Sequence, residues 1–284
     1  MSEERQEASQ DQWGGAAEHW ARAAEKDEVG AAADAAAWML EAADLQPGER
    51  VLEVAGGAGR VGLQAASAVG PDGSVLCSDF SEEMVKVAGE RFERLGVANI
   101  ETRVLDAQDL DLDDGTFDVV LCRFGYMLMP DPAQALRESA HVLRPGGRLV
   151  LAVWGEDAQN LWLTTILEAV MDHFSAPPPE PGTPGPFALG DPARLRDLLD
   201  QAGLTGAEVE AIETRQVYDS LEAWWEKILS VGGPLALVLN PLPETDRNAI
   251  RDAALERGRE IARDDGDGIS FPATVVGAKA RKPA

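Results

Sequence analysis

Two carboxylates bracket a glycine cluster in this chain. Residues 51–62 read Val-Leu-Glu-Val-Ala-Gly-Gly-Ala-Gly-Arg-Val-Gly, an apolar run passing directly into glycines, with Gly57, Gly59 and Gly62 in the spacing G-x-G-x-x-G. Asp79 follows 20 residues after Gly59, at the end of the next apolar run. Glycines at that spacing let the backbone turn tightly and approach a ligand, and the later acid is placed to accept hydrogen bonds from ribose hydroxyls. The pattern predicts an adenosine-containing ligand at a strand-to-helix turn.

Charge narrows the ligand. A pyrophosphate over a helix N-terminus needs N–H donors and positive potential, whereas Glu53 ends the first strand with a carboxylate beside that position. The arrangement is unfavourable for NAD and suits a ligand carrying an ammonium and a sulfonium, as S-adenosylmethionine does. The literal glycine fingerprint keeps an NAD(P)-dependent oxidoreductase as an alternative, and a non-catalytic binding protein as a third class.

Four stretches in order extend the pattern. Residues 53–59, with Ala55 where glycine is usual, resemble the acidic first motif of the class I S-adenosylmethionine-dependent methyltransferases, especially the small-molecule group that includes the quinone-ring enzymes. Residues 77–84, Cys-Ser-Asp-Phe-Ser-Glu-Glu-Met, are similar to the ribose-binding second motif; residues 105–107 are similar to the third, and 121–124 to the fourth. Val-Leu-Arg-Pro-Gly-Gly-Arg-Leu at 142–149 looks like the family's entry into strand five. The resemblance covers 13–282 by pattern, with sharp motifs over 51–154.

That resemblance implies a cofactor site made of Glu53, Ala55, Gly56, Gly57, Gly59, Asp79, Phe80, Met84, Asp106, Ala107 and Arg123. It implies transfer of a methyl group from S-adenosylmethionine to an O, N or C nucleophile of a small aromatic or apolar metabolite, as in secondary metabolism, releasing S-adenosylhomocysteine. A non-methyl reaction such as cyclisation on the same fold is a further alternative. In-line methyl transfer makes a base optional; His19 and His173 are the candidates for one. Trp13, Trp20, Phe124, Tyr126, Met127, Trp162 and Phe187 are the candidate substrate pocket, with Trp224 and Trp225 as further aromatics for a roof. No metal is expected: an EF-hand reading of the acidic run after Asp106 fails, because its sixth position is Asp114 and its twelfth Val120.

The elements that must hold these residues follow from periodicity. Short apolar runs at 51–55, 74–78, 100–105, 117–122 and 149–154 alternate with amphipathic segments, which predicts a doubly wound, mostly parallel α/β sheet. Ser81, Asp131 before Pro132, and Asp191 before Pro192 are expected N-caps. Two late strands at 207–218 and 269–278, the last antiparallel, would complete a seven-stranded Rossmann-like sheet. The expected organisation is a disordered tail at 1–12, N-terminal lid helices at 13–45, an α/β core at 46–155, and a helical and Pro-rich lid insertion at 156–205. C-terminal strands at 206–284 follow, with a helical insertion at 220–264.

Bulk composition excludes several classes. The formal net charge of −25 over 284 residues repels nucleic acid and anionic membranes, and the basic residues near 279–282 are too few to offset it. The acidity serves solubility or salt adaptation. Cys77 and Cys122 lack the spacing of a disulfide framework or zinc site, and no apolar run is long enough to span a bilayer. A cytoplasmic monomer or homodimer acting on a small molecule is the expectation.

Overall fold

A computed structural model describes residues 17, 22, 29–180, 182–230, 234–266 and 268–284. Its centre is one sheet of eight strands. These are β1 (Arg50–Glu53), β2 (Ser74–Asp79), β3 (Ile100–Val104), β4 (Phe117–Arg123), β5 (Leu143–Trp154), β6 (Thr205–Tyr218), β7 (Arg263–Asp264) and β8 (Ile269–Arg281). The order is β3-β2-β1-β4-β5-β8-β6, with β7 paired to β8. All pairs among β1 to β5 are parallel, and β8 runs antiparallel to both β5 and β6. The order reverses between β1 and β4, which opens a crevice at the carboxyl ends of those strands.

Nine described helices accompany the sheet: α1 (Ala31–Ala43), α2 (Arg60–Val69), α3 (Glu82–Leu95), α4 (Pro132–Val142), α5 (Leu161–Phe174), α6 (Pro192–Gln201), α7 (Leu221–Ser230), α8 (Pro234–Leu239) and α9 (Glu244–Ile261). The central strands are apolar along their length because helices cover both faces; Val51, Leu52, Val119, Val120, Leu149 and Val150 are fully buried. The edges read differently. β6 carries Glu208, Glu210, Glu213 and Arg215, charges that discourage pairing with another chain.

The expected caps form. Ser81 Oγ accepts from the Met84 N–H, Asp131 from Gln134 and Asp191 from Ala193, the last two with proline in the first turn. Several strand ends differ from expectation, two of them by several residues. β5 begins at Leu143 instead of 149, and β8 reaches Arg281 instead of 278, because the turn at Gly146 is bonded to the end of β8: Gly146 N–H donates to the Lys282 carbonyl, and Lys282 N–H to that of Gly147. The two-residue β7 makes the sheet eight strands, not seven. Of the N-terminal segment, α1 is described in full; the tail at 1–12 lies outside the described residues, as do His19, Trp13 and Trp20.

A buried arginine fixes α1 to the sheet. Arg148 at the start of β5 makes a two-pronged contact with Glu49, at 2.7 and 2.8 Å, and donates to the carbonyls of Ala43 and Asp44 at the end of α1. Both side chains are largely out of water, at 11% and 12% exposure, so removing Arg148 leaves the Glu49 charge with the Gln46 N–H as its one remaining donor among the described residues. This ion pair and its hydrogen bonds hold the Glu49 carboxyl below its usual range despite partial burial. Arg148→Ala should therefore lower unfolding free energy by about 3 kcal/mol. Urea denaturation followed by circular dichroism measures it, and a change near zero would show the pair to be incidental.

Candidate functional site

The chain leaves β1 stitched to both neighbours: Val54 N–H donates to the Leu121 carbonyl on the β4 side, and Gly56 N–H to that of Ser78 on the β2 side, both at 2.8 Å. The glycine turn is thus held in the crevice where the strand order reverses. Beneath it lies Glu53, only 3% exposed. Its Oε2 accepts the Gly62 N–H at 2.8 Å, inside the first turn of α2, and the Cys77 thiol donates to the same carboxylate. A side chain at Gly62 would sit 2.4 Å from Oε2, and one at Gly56 would meet both Glu53 and the Cys77 sulfur. Both glycines are needed so that the turn can close over a carboxylate.

Burial pushes the Glu53 carboxyl up to about 7, against the lowering effects of the thiol, the Arg123 charge and the Gly62 N–H. Cys77 is pushed well above the thiol range by burial and by Glu53 itself. The sequence places Glu53 against a ligand; the structure also gives it a second task, as a support under the turn. The same geometry bears on the dinucleotide alternative. An N–H of the first turn of α2, which a pyrophosphate would seek, is already bonded to the protein's own anion.

Asp79 ends β2 at 7% exposure. Oδ2 accepts the Gly57 N–H at 2.9 Å and Oδ1 the Ser81 N–H at 3.1 Å, so the carboxylate joins the turn to the start of α3. Burial raises its carboxyl, and these backbone donors pull it back down. The Phe80 N–H bonds to it as well, which leaves one of the carboxylate's about four lone-pair positions for a hydroxyl donor. Leu105 N–H donates to the Asp79 carbonyl at 3.0 Å, which brings Asp106 and the buried Ala107 alongside Phe80. Asp106 Oδ1 also accepts from the backbone and side chain of Gln108. Met84, on the first turn of α3, packs against Ala17 of the N-terminal segment.

Other predicted residues have a structural task. Gly59 has φ +70°, and a side chain there would collide with the Phe92 ring at 2.2 Å, so this glycine serves the packing of α2 on α3. Arg123, at the end of β4, donates to the Ala32 carbonyl of α1 at 2.7 Å while its charge acts on Glu53. Tyr126 does not line an opening. It is fully buried, and its hydroxyl pairs with Ser139 of α4 at 2.6 Å. Met127 is buried too, with its carbonyl accepting the Gly185 N–H of the Pro-rich segment at 2.9 Å. Trp224 and Trp225 are core; the Trp224 indole donates to the Trp162 carbonyl.

His173 sits in the last turn of α5 facing Asp246 at 3.4 Å, about 16 Å along the helix from Trp162. The structure does not bring it to the glycine turn. His141 faces Asp114 instead. The aromatic group at the site consists of Phe124, stacked on Trp154 at 4.3 Å and 13°, and Trp162, edge-on to Trp154 at 5.1 Å. Sequence reading missed Trp154, which ends an apolar strand and looks like core. Asn160, wholly buried, sets Trp162 by accepting its indole N–H and pairs with both backbone groups of Thr274 on β8. Half-buried Phe187 rides on the Pro-rich segment between the Gly185 tie and Gly190, whose backbone lies against Gly155.

Comparison with known proteins agrees with this geometry. Residues 51–147 match the family model described as a methyltransferase domain. The ubiquinone/menaquinone biosynthesis C-methyltransferase UbiE of Ectopseudomonas mendocina is 41% identical over 139 residues, 49% of this chain and 52% of that protein. The chain thus matches about half the length of that relative. Among solved structures, a Bacillus halodurans protein described as a methyltransferase superposes with a TM-score of 0.59 at 22% identity, covering 88% of this chain and 99% of the other. Haemonchus contortus phosphoethanolamine N-methyltransferase 2, solved with S-adenosylhomocysteine, gives 0.55 at 18% identity, covering 88% and 52%. The two solved structures share the fold. Residues 51–147 of this chain are thus similar to a methyltransferase domain, carried on a fold shared with solved methyltransferase structures.

Proposed function

We propose that this chain transfers a methyl group from S-adenosylmethionine to a small, apolar aromatic acceptor. The observation that carries the reading is the pair Glu53 and Asp79. Two nearly buried carboxylates flank a glycine turn whose helix N–H is already bonded to one of them, which favours a cationic adenosine ligand over a polyphosphate. The names of the relatives, ubiquinone/menaquinone biosynthesis C-methyltransferases, make a hydroquinone ring carbon the acceptor to try first.

In this reading Asp79 accepts from a ribose hydroxyl, and Asp106, Ala107, Phe80 and Met84 surround the adenine. Glu53 acts through its field and by holding the turn, and Arg123 offsets part of its charge. Bound S-adenosylmethionine supplies an electrophilic methyl on a sulfonium whose charge disperses as the group departs. The chain contributes alignment and exclusion of water, the effects that matter most for such a displacement. Among the described residues His141 and His173 are engaged with carboxylates elsewhere, which leaves His19, outside the described residues, as the histidine candidate for a base.

Titration calorimetry with S-adenosylmethionine, S-adenosylhomocysteine and NADH tests the cofactor; binding of NADH alone would refute the reading. Asp79→Ala should weaken S-adenosylmethionine by roughly ten- to a hundredfold, the loss expected when a hydrogen bond to a charged group is removed. An unchanged affinity would remove Asp79 from the site. Methyl transfer to 1,4-dihydroxynaphthalene, followed by mass spectrometry, tests the acceptor, with a C-methylated product expected.

The Glu53 carboxyl, near 7, adds a pH dependence. Below that value it is protonated and neutral; above it the carboxylate attracts the cofactor's positive charge. Affinity should therefore rise several-fold between about pH 6 and 7.5, with proton uptake by buffer on binding, and Glu53→Gln should flatten the rise. The ligand-free fold shows the opposite trend. Its carboxyl is raised from 4.5, so stability is greatest below that value and falls as pH climbs through 7. Thermal melts at several pH values, with and without S-adenosylhomocysteine, separate the two effects.

A further inference from the structure

Phe124 has an unusual backbone. Its φ is +58°, in the left-handed region that a bulky residue rarely occupies, and its N–H donates to the Ala152 carbonyl at 2.7 Å. The neighbouring Gly125 allows the close fit: a side chain there would lie 2.6 Å from the Ala55 methyl of the glycine turn. Ala55 is itself left-handed, at φ +52°. The loops after β1 and β4 are thus locked together, and the conformation presents the Phe124 ring to Trp154, nearly parallel at 4.3 Å. Strain held by surrounding contacts at the mouth of a site points to a task for the side chain.

Trp154 supplies a second, independent observation. It is more than nine-tenths buried, and its indole N–H has no acceptor among the described residues. Trp38, Trp162 and Trp224 donate theirs to Glu210, Asn160 and the Trp162 carbonyl; the buried Trp225 of α7 shares the lack of an acceptor among the described residues, but of the two only Trp154 combines it with a stacked aromatic ring. A buried indole N–H ordinarily finds an acceptor. Here the missing partner lies beside a half-exposed aromatic ring, next to the turn read as the cofactor site. The Pro-rich segment, which carries Phe187, is tied to Met127 at Gly185 and lies against Gly155, the residue after Trp154, at Gly190.

We propose that Phe124 and Trp154 form the wall against which the acceptor ring is held, and that the Trp154 indole N–H donates a hydrogen bond to an oxygen on that ring. The proposal rests on the methyl-transfer reading and specifies its acceptor: a flat aromatic ring bearing a hydroxyl or carbonyl oxygen. Phe124 and Trp154 are specificity-determining residues in this arrangement; they orient the ring and take no part in bond making.

The test uses the full chain saturated with S-adenosylhomocysteine, titrated with menadione and separately with 2-methylnaphthalene, which has the same rings without oxygens. Trp154→Phe keeps the stack and deletes the donor. It should weaken menadione about three- to tenfold and leave 2-methylnaphthalene unchanged. Phe124→Leu should weaken both ligands by a similar factor, and it tests the wall even where the tryptophan variant fails to fold. Each folded variant should keep S-adenosylhomocysteine within about twofold, which reports an intact cofactor half. Equal effects of Trp154→Phe on both ligands, or none on either, would overturn the hydrogen bond; a loaded wild-type chain that takes up neither ligand would overturn the wall. Failure of S-adenosylhomocysteine itself to bind would instead refute the cofactor reading on which the proposal stands.

Discussion

A carboxylate buried under a backbone turn is expensive to desolvate, and the architecture around Glu53 is organised to offset that cost. The Gly62 N–H and the Cys77 thiol bond to it, Arg123 acts on it through charge, and the absence of side chains at Gly56 and Gly62 lets the turn settle onto it. Each of these contacts also fixes a different element: α2 through Gly62, β2 through Cys77, β4 and α1 through Arg123. Disturbing the carboxylate therefore disturbs the registration of four elements at once. The same contact reverses the electrostatic sense of the glycine fingerprint. A helix start that would otherwise attract anions is occupied by an anion from within the chain, and Asp79 places another beside it.

The glycine turn after β1 and the loop after β4 are coupled mechanically through Ala55 and Gly125. Two residues that are not glycine occupy the left-handed region at the ends of adjacent strands, Ala55 after β1 and Phe124 after β4. Each such conformation costs on the order of 1–3 kcal/mol and persists because its surroundings leave no alternative. The Ala55 methyl lies against the bare backbone of Gly125, so a side chain at Gly125 would push on the cofactor turn and on the Phe124 ring together. The alanine that departs from the family's usual glycine is matched by a glycine on the facing loop.

What the sequence disclosed was mainly local. Central strands announce themselves as unbroken apolar runs, and caps such as Ser81 and Asp131 act within three residues, so both were readable. Long-range partners were not. Asn160 is separated by 114 residues from the Thr274 backbone it holds, and Arg148 by more than 100 from the α1 carbonyls it caps. No periodicity carries that information. Tyr126 looked like a pocket residue because it follows β4, yet the short helical turn at Tyr126–Leu128 rotates it inward to Ser139. Trp154 was overlooked for the converse reason: it ends a buried run, and only the tertiary arrangement shows a stacked partner and an N–H without an acceptor among the described residues at that end.

The net charge of −25 is too diffuse to account for the proposed preference for a cationic ligand. Charges spread over a surface are screened beyond about 8–10 Å at physiological ionic strength, so most of that excess never reaches the glycine turn. It can raise the rate of encounter with a cation and discourage polyanions at a distance. In the proposed function, discrimination at the turn belongs to Glu53 and Asp79, which water barely reaches and salt barely screens. The cationic residues bear this out: Arg123 and Arg148 are used as internal ties, each to a carbonyl of the α1 region, and Arg148 also to Glu49. An overall charge change on the surface would alter solubility and encounter rate, whereas neutralising one buried carboxylate would change what the site can bind.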